Sequence, residues 1–238
     1  MDTWTIETSL GPTPVWGRLE SPERTLLFVV RGALPTFDHM FDLTLLLPAI
    51  DVALVHLPGM YSPFFEQSTP QAFGQAFDQV LAALGYGRVV VVGVSIGGVA
   101  ALAMKSPAIR RLILVDTPLS TGGLWPLHER FRKQVKANPP AQKWLWELFG
   151  IGPSAVENRD YRPLLETMSV PATVFVGGQP LGEPRPVDEM PSLVSDEDRA
   201  LYDRHPRVEV LVVEGAGHNV PRTGYALFID ALRRATRG

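Results

Sequence analysis

One short stretch carries the residue types and spacing that acyl chemistry needs. It reads Gly93-Val94-Ser95-Ile96-Gly97, follows the run Val89-Val90-Val91-Val92, and continues into Gly98-Val99-Ala100-Ala101. A G-x-S-x-G turn between a strand and a helix can hold a serine in strained dihedrals with its hydroxyl lifted above the sheet. Glycines two residues to either side let neighbouring backbone come close. The helix that begins here aims its unpaired amides at the site, and the Ile96 N–H becomes a natural donor to an oxyanion. Small residues also suit a plain strand–helix crossing, but the valine run before and the helix after favour the nucleophile reading. A serine hydroxyl is a weak nucleophile near neutral pH and needs a general base within hydrogen-bond reach. The chain has five histidines and no cysteine. Disulfides, thiolate metal sites and a cysteine nucleophile are therefore excluded.

The elements that must position this turn can be read around it. RVVVVGV (88–94) is the most hydrophobic strand, and Gly97 to Lys105 reads as the helix after it, stopped near Pro107. TLLFVV (25–30), DVALVHL (51–57), RLILVD (111–116), PATVFVGG (171–178) and VEVLVVEG (208–215) read as further strands, the first of them apolar throughout, as in a strand buried on both faces. WTIET (4–8) and PVWGRLE (14–20) read as a hairpin that turns at Gly11 and Pro12. Residues 37–47 read as a helix stopped before Pro48. Thr69-Pro70 starts a helix that runs to about Leu84 and ends at Gly85. Ser195-Asp-Glu-Asp opens another, with acids in its first turn, and Tyr225 to Arg237 reads as the last. This alternation predicts an α/β fold: a mostly parallel, eight-stranded twisted sheet with helices on both faces. Residues 117–170 are the exception. They carry Trp125, Trp144, Trp146 and Phe149 in helical stretches, hold no good strand, and read as a helical insertion. The Gly- and Pro-rich segment 177–194 predicts a long irregular loop.

Composition bounds the function. At 238 residues, 45% hydrophobic and 20% charged, the chain has the balance of an ordinary soluble globular protein. Its net charge of −3 offers no basic excess to neutralise phosphates, so nucleic-acid binding is not expected. Apolar runs are broken by Pro, Gly or charge before they reach spanning length, so no membrane helix is expected. MDTWTIETSLGPTPVWG has neither a basic start nor an apolar stretch after it. No secretory signal is expected, and a cytoplasmic location is the default.

With the elbow after the fifth strand and the insertion after the sixth, the chain resembles the α/β-hydrolase superfamily over nearly its full length. The resemblance implies one α/β-hydrolase domain over 1–238 with a helical cap at about 117–170. It also implies a histidine base in the loop after the last strand, and VEVLVVEGAGHNVP puts His218 there. His39 and His128 fall in predicted helices and His205 at a helix end. His56, at the end of the fourth strand, is the rival and reads as a pocket residue.

The acid that orients the histidine is harder to place. Most relatives carry it just after the strand that follows the cap. Here that text is Val176-Gly177-Gly178-Gln179-Pro180-Leu181, without a carboxylate, and Glu183, Asp188 and Glu189 come later. Some members supply the acid from the end of the preceding strand, where Asp116 stands. A strand end is better held than a Gly/Pro loop, so Asp116 ranks ahead of Glu183. A serine–histidine dyad is the third alternative.

The second oxyanion donor is expected from the loop after the third strand, Arg31-Gly32-Ala33-Leu34-Pro35. Gly32 preserves the backbone turn, and the Ala33 N–H joins that of Ile96. Arg31 reads as a surface charge or an ion pair, with an anionic substrate group as the alternative. Gly32, Met60, Tyr61 and Trp125 are the expected pocket residues, with Phe64 and Leu124 near them.

These features predict a carboxylic ester hydrolase that works through an acyl-enzyme, with Ser95, His218 and Asp116 as its triad. The expected partner is a small-molecule substrate with an apolar acyl or aromatic group, and no metal or organic cofactor is implied. A thioesterase or acyltransferase, a lyase or cyclase, and a ligand-binding protein with degenerate catalysis stay open on the same scaffold.

Overall fold

The apolar runs form the centre of a sheet in the computed structural model of the chain, which describes residues 2–33, 43–60, 63–128, 130–131, 139–186 and 189–237. The strands are β1 (Asp2–Thr8), β2 (Gly11–Arg18), β3 (Leu26–Val30), β4 (Asp51–Val55), β5 (Val89–Val94), β6 (Ile109–Val115), β7 (Ala172–Gly177) and β8 (Val208–Val213). They make one eight-stranded sheet in the order β1-β2-β4-β3-β5-β6-β7-β8. The β1–β2 and β2–β4 pairings are antiparallel, and every pairing from β4 onward is parallel.

β3 shows why these runs are apolar without a break. Leu26, Phe28 and Val30 enter the core on one face of the sheet, while Leu27 and Val29 enter the core on the other. Alternate side chains point to opposite faces, so a strand covered on both sides has no solvent-facing position. The hairpin departs from expectation. Gly11 and Pro12 already belong to β2, opposite Thr8 and Glu7, and the turn lies at Ser9 and Leu10. The Thr8 hydroxyl closes it, donating to the Gly11 carbonyl at 2.7 Å and accepting from the Leu10 N–H at 3.3 Å. A threonine side chain thus does the turning that the Gly-Pro pair suggested.

The helices are α1 (Leu43–Leu46), α2 (Pro70–Leu84), α3 (Ile96–Ala103), α4 (Pro139–Phe149), α5 (Arg162–Glu166), α6 (Asp196–Arg204), α7 (Val220–Thr223) and α8 (Tyr225–Arg237). Only 43–47 of the helix expected over 37–47 lies within the described residues. The α2 boundaries follow from its caps. The Thr69 hydroxyl accepts the Ala72 N–H at 3.2 Å, and Gly85 ends the helix at φ 75°. Phe73, Phe77, Val80 and Leu81 form its buried stripe. Ser195 caps α6 in the same way, accepting the Asp198 N–H at 3.1 Å.

Within 117–170 the regular structure among the described residues is helical, joined by irregular stretches, with β-pairing limited to the isolated bridges Ser120–Asp160 and Ile151–Val156. Trp144 and Phe131 pack on Phe149 at ring distances of 5.7 and 5.6 Å. Two residues of α6 hold the start of this segment. The buried Asp198 carboxylate accepts the Leu119 and Ser120 amides at 2.9 and 3.1 Å and pairs with Arg162 at 3.1 Å. The Tyr202 hydroxyl donates to the Thr117 carbonyl at 2.9 Å. Among the described residues no helix is long and apolar enough to cross a membrane.

The chain leaves β3 for β4 on one side and leaves β5 for β6 on the other, although β3 and β5 are neighbours. Their carboxyl ends therefore flank a crevice at the switch in winding direction, the usual ligand position in open parallel sheets.

Asp51, the first residue of β4, is fully buried at the opposite end. It accepts the Tyr86 hydroxyl at 2.5 Å and the Glu20 and Ser21 amides at 2.7 and 3.0 Å, and it pairs with Arg24 at 3.1 Å. Burial alone would raise its carboxyl, but these hydrogen bonds and the Arg24 charge outweigh that and hold it below its ordinary value. Asp51→Asn is expected to lower folding stability by about 2 kcal/mol at pH 7, read from urea unfolding. The native carboxyl releases its proton more readily than the unfolded one. The difference between the two proteins should therefore be full above the ordinary carboxylate range and vanish as pH falls through the lowered native value.

Candidate active site

Ser95 sits between β5 and α3 at φ 55° and ψ −129°, a region that a residue with a side chain rarely enters. Its N–H donates to the Val115 carbonyl at 2.7 Å and its carbonyl accepts the Gly98 N–H at 2.9 Å, so the turn is held from β6 and from its own helix. The loop after β3 lies directly against it. A Cβ on Gly97 would stand 2.5 Å from the Arg31 carbonyl oxygen, and one on Gly32 would stand 2.9 Å from the Ser95 Cβ. Both positions admit hydrogen only. Ala33 follows Gly32 on this loop, and Ile96 is the first residue of α3, where a helix has no internal partner for an amide.

His218 follows β8, and Asp116 follows β6. Their relative exposures are 2% and 0%, and His218 Nδ1 lies 2.7 Å from Asp116 Oδ2. Asp116 is the second non-glycine residue at positive φ among those described, at 44°. Its Oδ1 accepts the Gly177 N–H at 3.1 Å and the Ser192 hydroxyl at 2.5 Å, and its Oδ2 also accepts the Leu193 N–H at 2.7 Å. A carboxylate surrounded by donors can only accept, so Nδ1 of His218 carries the ring proton. Nε2 then holds a lone pair. It is buried and makes no hydrogen bond among the described residues. Such a nitrogen can take a proton from a hydroxyl brought to it.

Glu183 is not at this site. It is exposed on the 177–194 loop, and its carbonyl oxygen accepts from the Arg185 guanidinium. Glu189 pairs with Arg222 at 2.9 Å, and Asp188 lies outside the described residues. The loop in which relatives were expected to carry an acid instead brings Ser192 and Leu193 to Asp116. Its Met190 carbonyl also accepts the His218 N–H at 2.9 Å. Sequence reasoning missed these three residues. A serine after a proline in an irregular loop carries no signal of a contact made 76 positions away.

The remaining expected residues are dispersed. His56 is half-buried beyond β4, with Trp16 edge-on at 5.0 Å. Burial first, and then the Arg31 charge, lower its pKa to about 4, so it is uncharged at neutral pH and a feeble base. Arg31 is buried, which corrects the surface-charge reading; it stands where β3 ends, close enough for its charge to act on His56. Met60 is partly buried against the main core, as is Trp125, whose indole N–H donates to the Gly182 carbonyl at 3.1 Å. Tyr61 and His39 lie outside the described residues. His128 lies beside the cleft of residues 151–156, and His205 closes α6. Among the described residues no three His, Asp or Glu side chains gather in a way that could hold a metal ion.

This sheet order, with a helical segment after β6 and a strained serine at the switch point, is the α/β-hydrolase fold. The chain belongs to the Alpha/beta hydrolase family, whose sequence model matches residues 27–231. Solved structures of low identity share the fold. A thermophilic esterase from Thermogutta terrifontis is 20% identical at a TM-score of 0.66, over 99% of this chain and 100% of that one. The carboxylesterase CesB from Bacillus subtilis is 12% identical at a TM-score of 0.70, over 100% and 92%. A deformylase from Pseudomonas putida S16 is 19% identical at a TM-score of 0.65, over 97% and 100%. No curated protein sequence matches the chain.

The His56 environment has a direct readout. Its ring resonances should titrate with a midpoint near 4 rather than the usual 6.5 in a histidine-resolved NMR series. The unfolded chain takes this proton first, so His56 should erode stability as pH drops from 6.5 toward 4. A midpoint near 6.5 would exclude the buried placement.

Proposed function

We propose that the protein hydrolyses carboxylic esters with small or medium apolar acyl or aromatic groups, through an acyl-enzyme on Ser95. One observation carries the reading: His218 is bound through Nδ1 to a buried carboxylate while its Nε2 is left buried and unpartnered, at the sheet edge that also carries the strained Ser95. The esterases among the similar structures support hydrolysis as the class of reaction.

In this reading the Ser95 oxygen adds to the ester carbonyl carbon as its proton passes to His218 Nε2. The carbonyl π electrons move onto oxygen, which the Ala33 and Ile96 amides stabilise. The intermediate collapses, the ester C–O bond breaks, and Nε2 returns the proton to the leaving alcohol. Water then repeats the sequence on the acyl-enzyme, giving the acid and restoring Ser95. Asp116 stays ionised throughout and stabilises the transient imidazolium. An apolar acyl or aromatic group is favoured by the expected pocket residues Met60 and Trp125, both apolar and partly buried against the core. Residues 1–238 act as one domain, with 117–170 as its cap.

A fluorophosphonate probe should label the wild-type protein and leave Ser95→Ala unlabelled, and the wild type should turn over short-chain nitrophenyl esters. Neither labelling nor turnover would end the esterase reading. Asp116→Asn should lower kcat by about four orders of magnitude. Glu183→Gln should leave it unchanged, and the reverse order would exclude Asp116 as the acid.

A further inference from the structure

We propose that Ser192 is a positioning residue that fixes the protonation pattern of His218 through Asp116. The proposal rests on the reading of His218 as the general base. Ser192 is buried, in the loop before α6. Its hydroxyl oxygen accepts the Val194 N–H at 3.2 Å and lies 2.5 Å from Asp116 Oδ1. The carboxylate can only accept, so the hydroxyl proton is directed at it, and the Val194 amide occupies one of the hydroxyl's two lone pairs and steadies that direction.

The donors around Asp116 are balanced. Oδ1 receives Gly177 N–H and Ser192 O–H, while Oδ2 receives Leu193 N–H and His218 Nδ1–H. An ionised carboxylate offers about four lone-pair sites, and these donors fill them. Among the described residues no lysine or arginine pairs with Asp116, so neutral donors hold the charge. A carboxylate with every lone-pair site engaged has no freedom to rotate. It must accept from Nδ1, so the lone pair of the neutral imidazole lies on Nε2.

Removing the Ser192 hydroxyl opens one site on Oδ1 and leaves that oxygen with the longer Gly177 contact alone. The carboxyl can then turn, and it no longer dictates which ring nitrogen of His218 is protonated. A serine that merely pinned the 177–194 loop would change the melting temperature without changing the tautomer.

The test uses the full chain labelled with 15N-histidine, with the His218 signals assigned by comparison with His218→Ala. Wild type should show a protonated Nδ1 and an unprotonated Nε2. Ser192→Ala should show a mixture of both tautomers. Its kcat on a short-chain nitrophenyl ester should fall about tenfold at unchanged KM, a loss of one hydrogen bond's worth of orientation. Ser192→Thr, which returns the hydroxyl, should restore both. If the alanine variant does not fold, Ser192→Cys keeps the volume with a weak donor and gives the same reading. Ring-nitrogen shifts that stay at wild-type values in the folded alanine or cysteine variant overturn the proposal, whatever happens to kcat. The spectrum needs no substrate, so it decides the role of Ser192 even if the protein cleaves no ester. Labelling of Ser95 decides the esterase reading separately.

Discussion

Asp116 is a carboxylate without access to water, and much of the sheet edge is arranged around that constraint. Burying an unpaired charge is costly enough that the group would neutralise or the site would open. Here the compensation comes from separate parts of the chain: the end of β7, the loop before α6 and the loop after β8. Each donor fixes its own segment. The 177–194 loop has little regular structure, yet Ser192, Leu193 and Met190 bind it to Asp116 and His218. The positive φ of Asp116 belongs to the same arrangement, a local strain that the surrounding bonds maintain.

The neighbouring turn obeys a different constraint, which is steric. Ser95 can stand at the switch between β3 and β5 only because the backbone of the β3 loop reaches it, and Gly32 and Gly97 leave room for that approach. The helical segment after β6 is anchored by a second buried carboxylate. Burial pushes Asp198 above its usual range, against the bonds from the Leu119 and Ser120 amides and from Arg162. Asp116 and Asp198 thus grip the two ends of the short stretch 116–120, one facing the histidine and the other facing α6.

Local physics made a good part of the fold legible. The Thr69, Gly85 and Ser195 caps mark helix ends because a cap is satisfied within a few residues. The apolar run of β3 reads as a doubly covered strand because it holds no polar position along its length. The hairpin turns at Ser9 and Leu10, closed by the Thr8 hydroxyl, just before the Gly11-Pro12 pair that the sequence marks, because a side chain competed with the usual turn formers. In the site, the elbow around Ser95 is visible as a motif, since strand, turn and helix are contiguous. The carboxylate beside His218 is ranked by the sequence but not fixed by it, since Asp116 and His218 are 102 residues apart and a strand end favours Asp116 over Glu183 only on local grounds.

By itself the sequence determined the alternating elements, the strained serine turn and a short set of candidate partners, because each of these follows from periodicity, caps and contiguous spacing. Tertiary structure alone decided that Asp116 meets His218, that Glu183 stays at the surface, and that Ser192 completes the donors around the buried carboxylate. The reason is physical. Those outcomes depend on which distant loops come to the same sheet edge and on how a buried charge is satisfied there. Both are properties of the assembled molecule, and no local stretch of chain carries them.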